Sequence, residues 1–219
     1  MFNNYAKSEL ELMVGEDENI LWQGKPDKKC YILEGIFNPF LFIAIIWLLV
    51  DSSFFAVFAL AFSGEKIATE FLFLPILFVL LHLTPVWLYI GGAIFLFRRY
   101  QHTEYIVTDK GIYISGGLFS YTCNMKPFAE LSRVNIHRGI IDQIIGVGDV
   151  VIETNSPSNV SVNGTPVPLA YTISSIRDYR GVYEIIKKLQ EDIYTDTMYP
   201  NALRPENNPG YRTKYTGMD

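Results

Sequence analysis

Two long apolar stretches constrain this chain more than any other feature of its sequence. Within Phe40–Phe62 the only side chain that titrates near or below neutral pH is Asp51, and within Phe71–Phe97 the only one is His82. At about 1.5 Å of rise per residue, the first stretch makes a helix of roughly 35 Å, which is enough to cross a hydrocarbon core of about 30 Å. The second stretch is longer than one crossing needs. Both are therefore predicted to be transmembrane helices.

The two stretches are predicted to form an antiparallel helical hairpin, because the polar link at 63–70 is too short to cross a bilayer. Pro75 and Pro85 are the expected kink points of the second helix. Lysines 25, 28 and 29 precede the first stretch and arginines 98 and 99 follow the second, whereas the link carries one lysine. By the positive-inside rule, the protein is expected to be a multi-pass protein of the cell membrane with both termini in the cytoplasm.

Asp51 and His82 are expected to meet inside this hairpin. Asp51 lies 12 residues before Ser63 and His82 lies 12 residues after Glu70, so their depths match. An ionisable group near the midplane is costly unless it is paired, and such a group is a functional candidate. In the alternative interpretation the first span ends at Val50, which places Asp51 at the outer interface.

Beyond residue 100 the sequence changes to short alternating segments separated by turn residues, which is typical of strands. Residues 155–164, rich in Asn, Ser and Pro, are predicted to be a loop. Gly111, Gly146 and Gly148 are predicted to be structural turn residues, since Gly146-x-Gly148 is too short for a dinucleotide fingerprint. Strands are predicted at 105–108, 112–115, 121–128, 131–136, 150–154 and 167–173.

A C-terminal amphipathic helix is predicted to close this antiparallel barrel or sandwich. Asp178 is the expected N-cap, with Ser175 as a rival one turn earlier. The apolar stripe, expected to pack on the core, comprises Val182, Ile185, Ile186, Leu189 and Ile193. The domain scheme is a cytoplasmic N-terminal segment at 1–35 that packs on the β-structured domain, a hairpin at 36–99, that domain at 100–193 and a disordered tail at 194–219.

Three sequence blocks in this order resemble one family. They are Glu18–Pro26 (ENILWQGKP), Tyr105–Ile112 (YIVTDKGI) and Ile144–Val150 (IIGVGDV). The chain resembles bacterial membrane proteins with a PH-like domain of the YdbS type. The resemblance implies a PH-like fold, a strongly bent antiparallel barrel capped by a C-terminal helix. The family pattern has a basic residue where this chain has Gly111.

No constellation of catalytic residues is present in the sequence. His102 and His137 have no partner at metal spacing, and Cys30 and Cys123 lie far apart, so no catalytic, cofactor or metal site is predicted. The chain is therefore predicted not to be an enzyme. Arg98, Arg99 and His102 are candidate contacts with the membrane surface.

Charge excludes two further classes of ligand. The net charge of −5 is unsuited to nucleic acid. Between residues 100 and 193, eight Lys and Arg face ten Asp and Glu, which argues against a phosphoinositide pocket.

The leading hypothesis is a membrane-anchored cytoplasmic PH-like binding or scaffold module. Its partners would be the lipid bilayer and either another protein or further copies of this chain. The alternative is a component of an oligomeric transport or proton-responsive assembly that uses Asp51 and His82. Trp22, in the N-terminal segment, is predicted to have a structural role.

Overall fold

The computed structural model describes residues 7–61, 73–162 and 165–198, and the chain divides into two compact units. One unit, here called the β domain, comprises the chain up to Tyr31 together with the chain from Tyr100 onward. The other, here called the apolar unit, comprises Ile32–Arg99. The β domain therefore draws on sequence from both sides of the apolar unit.

The described part of the β domain contains two antiparallel sheets. The first has the order β1-β2-β3-β4 and the second the order β5-β6-β7. The strands are β1 Ile20–Gly24, β2 Glu104–Thr108, β3 Gly111–Gly116, β4 Thr122–Pro127, β5 Leu131–His137, β6 Gly148–Val162 and β7 Thr165–Ile176. The helices of the chain are α1 Lys28–Ile36, α2 Pro39–Ala61, α3 Phe73–His82, α4 Thr84–His102, α5 Ile140–Ile145 and α6 Tyr179–Met198.

Strand β1 pairs with β2 although the whole apolar unit lies between them in sequence. Ile20 is opposite Thr108, and Gly24 is opposite Tyr105. Trp22 packs against the hydrophobic core of the domain. Because β1 is short and shows little apolar alternation, its sequence predicted a packed segment without predicting a strand.

The core lies between the two sheets and α6. Every residue of β2 is buried. The main buried cluster includes Tyr105, Val107, Ile112, Phe128, Ile152, Ile173, Val182 and Ile186. The α6 stripe predicted to be core is confirmed, since Val182 and Ile186 are fully buried.

The predicted start of α6 is also confirmed. Asp178 accepts a hydrogen bond from the Gly181 N–H at 3.2 Å through Oδ1, and its carbonyl accepts from the Val182 N–H. The rival, Ser175, is the penultimate residue of β7 and has a φ of 54°. The helix continues to Met198, so residues 194–198, predicted to be disordered, are helical. Residues 199–219 lie outside the described part, as do residues 1–6 and the predicted link at 63–70.

The loop predicted at 155–164 is wrong, because β6 extends to Val162 and β7 starts at Thr165. The β6–β7 pairing contains register shifts on both sides of Pro157. Backbone hydrogen bonds hold this ribbon together, and its Asn, Ser and Pro residues provide no apolar alternation that would reveal a strand. Residues 163 and 164 lie outside the described part.

The three turn glycines have different roles. Gly146 ends α5 in the left-handed conformation with a φ of 84°, as predicted. Gly148 starts β6 without a positive φ, and a Cβ there would lie 2.9 Å from the Tyr179 ring. Gly111 starts β3, and a Cβ there would lie 2.6 Å from the Lys126 carbonyl oxygen. Gly111 and Gly148 are thus the first strand residues after their turns, and both permit close packing.

We expect Gly146→Ala to lower the free energy of unfolding by about 1–2 kcal/mol, because an L side chain disfavours the left-handed conformation. The matched control is Gly116→Ala, since Gly116 has no positive φ and open space around its added Cβ. The control should change stability by about 0.5 kcal/mol or less. Urea unfolding of the detergent-solubilised full chain measures both, and equal losses would contradict the left-handed cap.

Candidate functional site

Helix α2 of the apolar unit exposes large apolar side chains around its whole circumference. The six consecutive side chains at positions 45–50 are all apolar and exposed. A helix on the surface of a water-soluble protein instead has one polar face. Among the helices of the described residues, one stretch, Pro39–Val57, is long and apolar enough to cross a membrane by its length and composition, with a mean hydropathy of 2.3.

The second apolar stretch, predicted to be one kinked helix, forms two helices separated at Leu83. The expected interruption lies beside Pro85, whereas Pro75 lies inside α3 without a break. Pro85 has no N–H to donate to the Leu81 carbonyl, and the Thr84 hydroxyl donates to that carbonyl instead. The break is therefore a local consequence of the Thr84-Pro85 dipeptide.

The break also makes the His82 carbonyl available to a side chain. The Val86 N–H donates to the Leu83 carbonyl at 2.9 Å and not to the carbonyl of His82 four residues earlier. The indole N–H of Trp47 on α2 donates to the His82 carbonyl at 2.6 Å. Trp47 thereby satisfies a backbone acceptor that the helix break leaves unpaired.

Asp51 and His82 lie together in the apolar unit. His82 Nδ1 is 2.6 Å from Asp51 Oδ1, and Asp51 is only 5% exposed. Helix α2 is continuous through Asp51 to Ala61, and the alternative in which the membrane span ends at Val50 stays a prediction. The structure thus brings together the two side chains whose spacing suggested a pair, while their role stays a prediction.

Two aromatic rings hold the imidazole in place. The Trp47 ring centroid is 5.3 Å from that of His82, and the Phe78 ring stacks on His82 at 5.1 Å with an interplanar angle of 16°. Sequence reasoning assigned neither residue to the site. A signal was present, because Trp47 lies four residues before Asp51 and Phe78 lies four before His82, which puts each on the same helix face as its partner.

The second carboxylate oxygen of Asp51 gives the pair its chemical interest. Oδ2 is buried and has no hydrogen-bond partner among the described residues. The hydroxyls of Ser52 and Ser53 donate to the Leu48 and Val50 carbonyls of their own helix. A carboxyl and an imidazole in contact can share one proton, and gain or loss of a proton changes the net charge of the pair. The arrangement leaves Oδ2 able to accept one further hydrogen-bond donor.

A second buried polar cluster, in the β domain, has a structural explanation. Asp142 is fully buried, and its carboxylate accepts hydrogen bonds from the Gly139 N–H at 2.8 Å and the Cys30 thiol at 3.2 Å. The Gly139 bond closes the N-terminal turn of α5. Sequence reasoning missed this contact, although an acid three residues after a cap position is a known signal.

A third polar contact, Asp27 with Arg177, joins the start of α1 to the end of β7. Asp27 Oδ1 caps α1 by accepting from the Lys29 and Cys30 N–H groups, and Oδ2 accepts from the Arg177 guanidinium at 2.7 Å. The hydrogen bond from Arg177 lowers the pKa of the Asp27 carboxyl. Sequence reasoning missed Asp27 too, although a Pro-Asp pair before a helix is a typical N-cap signal.

The predicted membrane-surface residues differ in their surroundings. Arg98 and Arg99 are exposed in the last turns of α4. His102 belongs to the β domain, where its Nδ1 lies 3.3 Å from the Gly117 carbonyl oxygen and its ring makes an edge contact with Tyr121. His102 therefore packs on the β3–β4 turn, and lipid contact by any of the three stays a prediction.

A family model described as the bacterial PH domain matches residues 34–180, about two thirds of the chain. The chain belongs to the bacterial PH domain family. The two antiparallel sheets and the C-terminal helix agree with the PH-like fold implied by the sequence resemblance. No curated protein and no solved structure matches the chain. The matched range covers α2 to α5 and β2 to β7, whereas β1, which completes the first sheet, lies before it.

We expect Asp51 and His82 to be energetically coupled. Asp51→Asn and His82→Gln should each destabilise the protein, and the double variant should lose about 0.5–3 kcal/mol less than the sum of the two. The measurement is unfolding of the full chain in mixed detergent micelles. Ser53→Ala is the matched control on the same helix, because its hydroxyl bonds only to its own turn. If the effects of Asp51→Asn and His82→Gln simply add, the pair is not a functional unit.

Proposed function

We propose that this protein is a membrane-anchored, non-catalytic binding module whose PH-like domain lies in the cytoplasm and binds another protein. In this proposal its organisation follows that of the YdbS-type membrane proteins. The observation that carries the proposal is the insertion of the apolar unit between the paired strands β1 and β2.

The β1–β2 pairing restricts how the apolar unit crosses a bilayer. Gly24 and Tyr105 are direct partners in the sheet, so the chain leaves and returns on the same side of any membrane. A single crossing would separate the two strands by the whole bilayer and prevent their hydrogen bonds. The number of crossings is therefore even, and the exposed apolar surface of α2 favours two over none.

The return crossing consists of α3 and the apolar part of α4. Residues 73–97 provide roughly 37 Å of helix, enough for a hydrocarbon core of about 30 Å even with the break at Leu83. The break explains why, among the helices of the described residues, α2 is the one that is continuous, long and apolar enough. Lysines and arginines flank both outer ends of the hairpin, which supports a cytoplasmic β domain.

The outer edge of β5 is the proposed surface for a protein partner. Strand β5 is the end strand of its sheet, and all six of its residues after Leu131 are exposed or half-buried. Within the described residues, β6 is the only strand paired with β5. The Gln190 side chain on α6 donates to the Leu131 carbonyl, so α6 lies beside this edge. An extended segment of a partner can add to such an edge through backbone hydrogen bonds.

The membrane topology is tested by cysteine labelling in intact cells. A membrane-impermeant maleimide should label Lys66→Cys, in the predicted external link, without cell lysis. It should label Lys187→Cys, on an exposed α6 position, only after lysis. The unsubstituted chain, with Cys30 buried and Cys123 half-buried, sets the background. Labelling of both positions only after lysis would exclude a two-crossing anchor.

The binding surface is tested by a photo-crosslinking amino acid placed on β5. At Ser132, which is exposed on this strand, it should give a discrete adduct with another protein in growing cells. At Glu184, on the exposed face of α6, it should give none or much less. Equal adducts at the two positions, or none at Ser132, would contradict strand addition at β5.

A second candidate function is a proton-responsive membrane assembly, favoured by the buried and partly unpaired Asp51 beside His82. Two crossings cannot enclose a path, so this function requires several copies or a partner. The Asp51→Asn and His82→Gln variants distinguish the two functions. A pH-dependent cellular defect with normal folding supports the assembly, and an unchanged phenotype supports the binding module.

A further inference from the structure

Three large apolar side chains stand out on the surface of the β domain. Ile140 is 80% exposed, Ile144 is 79% exposed and Phe119 is 76% exposed, the highest values for large apolar residues in the described part of this domain. Single exposed apolar residues are ordinary. All three, however, lie near the points where the chain leaves or returns to the β domain.

Phe119 lies beside the point where the chain returns to the β domain. It sits in the turn between β3 and β4, two residues after Gly117 and two before Tyr121. Both of those residues contact His102, the last residue of α4. Gly117 has a φ of 129° and a Cβ there would lie 1.8 Å from the Ser120 carbonyl oxygen, so the turn that carries Phe119 is tightly folded.

Ile140 and Ile144 lie beside the point where the chain leaves the β domain. They are four residues apart on α5, so they share one face of this short helix. Asp142, between them, points into the domain and accepts the hydrogen bond from Cys30 on α1. Because this hydrogen bond holds Asp142 inward, the two isoleucines point outward.

The leaving and returning segments lie side by side within the β domain. The rings of Tyr31 and Tyr100 have centroids 5.8 Å apart, and these residues directly precede and follow the apolar unit in sequence. The three exposed side chains, here called the apolar rim, therefore occupy the end of the domain at which both connections are made.

We propose that the apolar rim inserts into the lipid–water interface of the membrane that anchors this chain, and so holds the β domain against the bilayer surface. The proposal deepens the proposed function and rests on its membrane anchor. We choose lipid as the partner of the rim because the chain connection limits the distance between the rim and the membrane. His102 follows Phe97, the end of the apolar sequence, by five residues of continuous helix, or about 7.5 Å. Each interfacial layer of a bilayer is roughly 5–8 Å thick.

Charge near the rim is compatible with this occupant. Lys25, Lys28 and Lys29 are exposed at the leaving segment, where anionic headgroups would attract them. The acidic residue of α5, Asp142, is buried and bonded, so it presents no exposed charge. Insertion of apolar side chains also needs no basic headgroup pocket, in keeping with the acidic excess of the domain.

The test is depth-dependent fluorescence quenching on the full chain in liposomes. A bimane label is placed by Phe119→Cys or Ile144→Cys in a Cys123→Ser background, with Cys30 fully buried. Lipids that carry a nitroxide near the headgroup should quench both labels at least twofold. The matched control, Lys188→Cys on the exposed face of α6, should be quenched little. A third label, Leu48→Cys on α2, reports the anchor itself through lipids that carry the nitroxide on the acyl chain.

The outcomes separate the two proposals. Quenching at Leu48 with none at either rim position overturns the rim and leaves the anchor intact. Absence of quenching at Leu48 overturns both. A blue-shifted but unquenched rim label means that protein covers the rim, which also overturns lipid insertion. Ile140→Ser with Ile144→Ser should preserve the unfolding midpoint, since both side chains are exposed, and should at least halve quenching at position 119.

Discussion

The hydrogen bonds between β1 and β2 are the constraint on which the rest of this structure depends. Those strands flank an insertion of about 80 residues, which lies between Gly24 and Tyr105. Because β1 completes the first sheet and places Trp22 on the core, the domain is assembled only when the insertion returns to its starting point. At a synthesis rate of about 5–20 residues per second, β1 waits roughly 4–16 s for its partner strand. Completion of the sheet therefore depends on synthesis of the whole apolar unit.

Sequence reasoning succeeded where a pattern had a single physical cause. Long apolar runs predicted the helices of the apolar unit, the stripe of Val182 and Ile186 predicted the face that α6 buries, and Asp178 predicted where α6 starts. Matching distances from the polar link brought Asp51 and His82 to the same level before any geometry was known. In each case a period or a spacing carried the information.

Sequence reasoning failed where the local structure or role of a residue depends on tertiary contacts. The Asn, Ser and Pro residues at 155–162 predict a loop, although backbone pairing makes this part of β6 a strand. Helix α5 is too short for periodicity, and its stability comes from Asp142, whose partner Cys30 is more than a hundred residues away in sequence. Trp47 joined the candidate site because a helix break freed a carbonyl, which depends on the fold around Thr84-Pro85. Gly111 and Gly148 lie directly after their turns, but the close approach of a neighbouring strand or ring that they permit depends on the fold.

The contacts of His82 also determine how two helices are rotated about their own axes. In the proposed membrane anchor, no hydrophobic force favours one helix face over another, so direct contacts select the face. Trp47 and Asp51 are one turn apart on α2, and both reach the same residue, one through its carbonyl and the other through its ring. A turn of α2 by a single residue position, about 100°, would break both bonds at once. His82 thus fixes both the rotation of α2 about its own axis and the position of α2 along that axis.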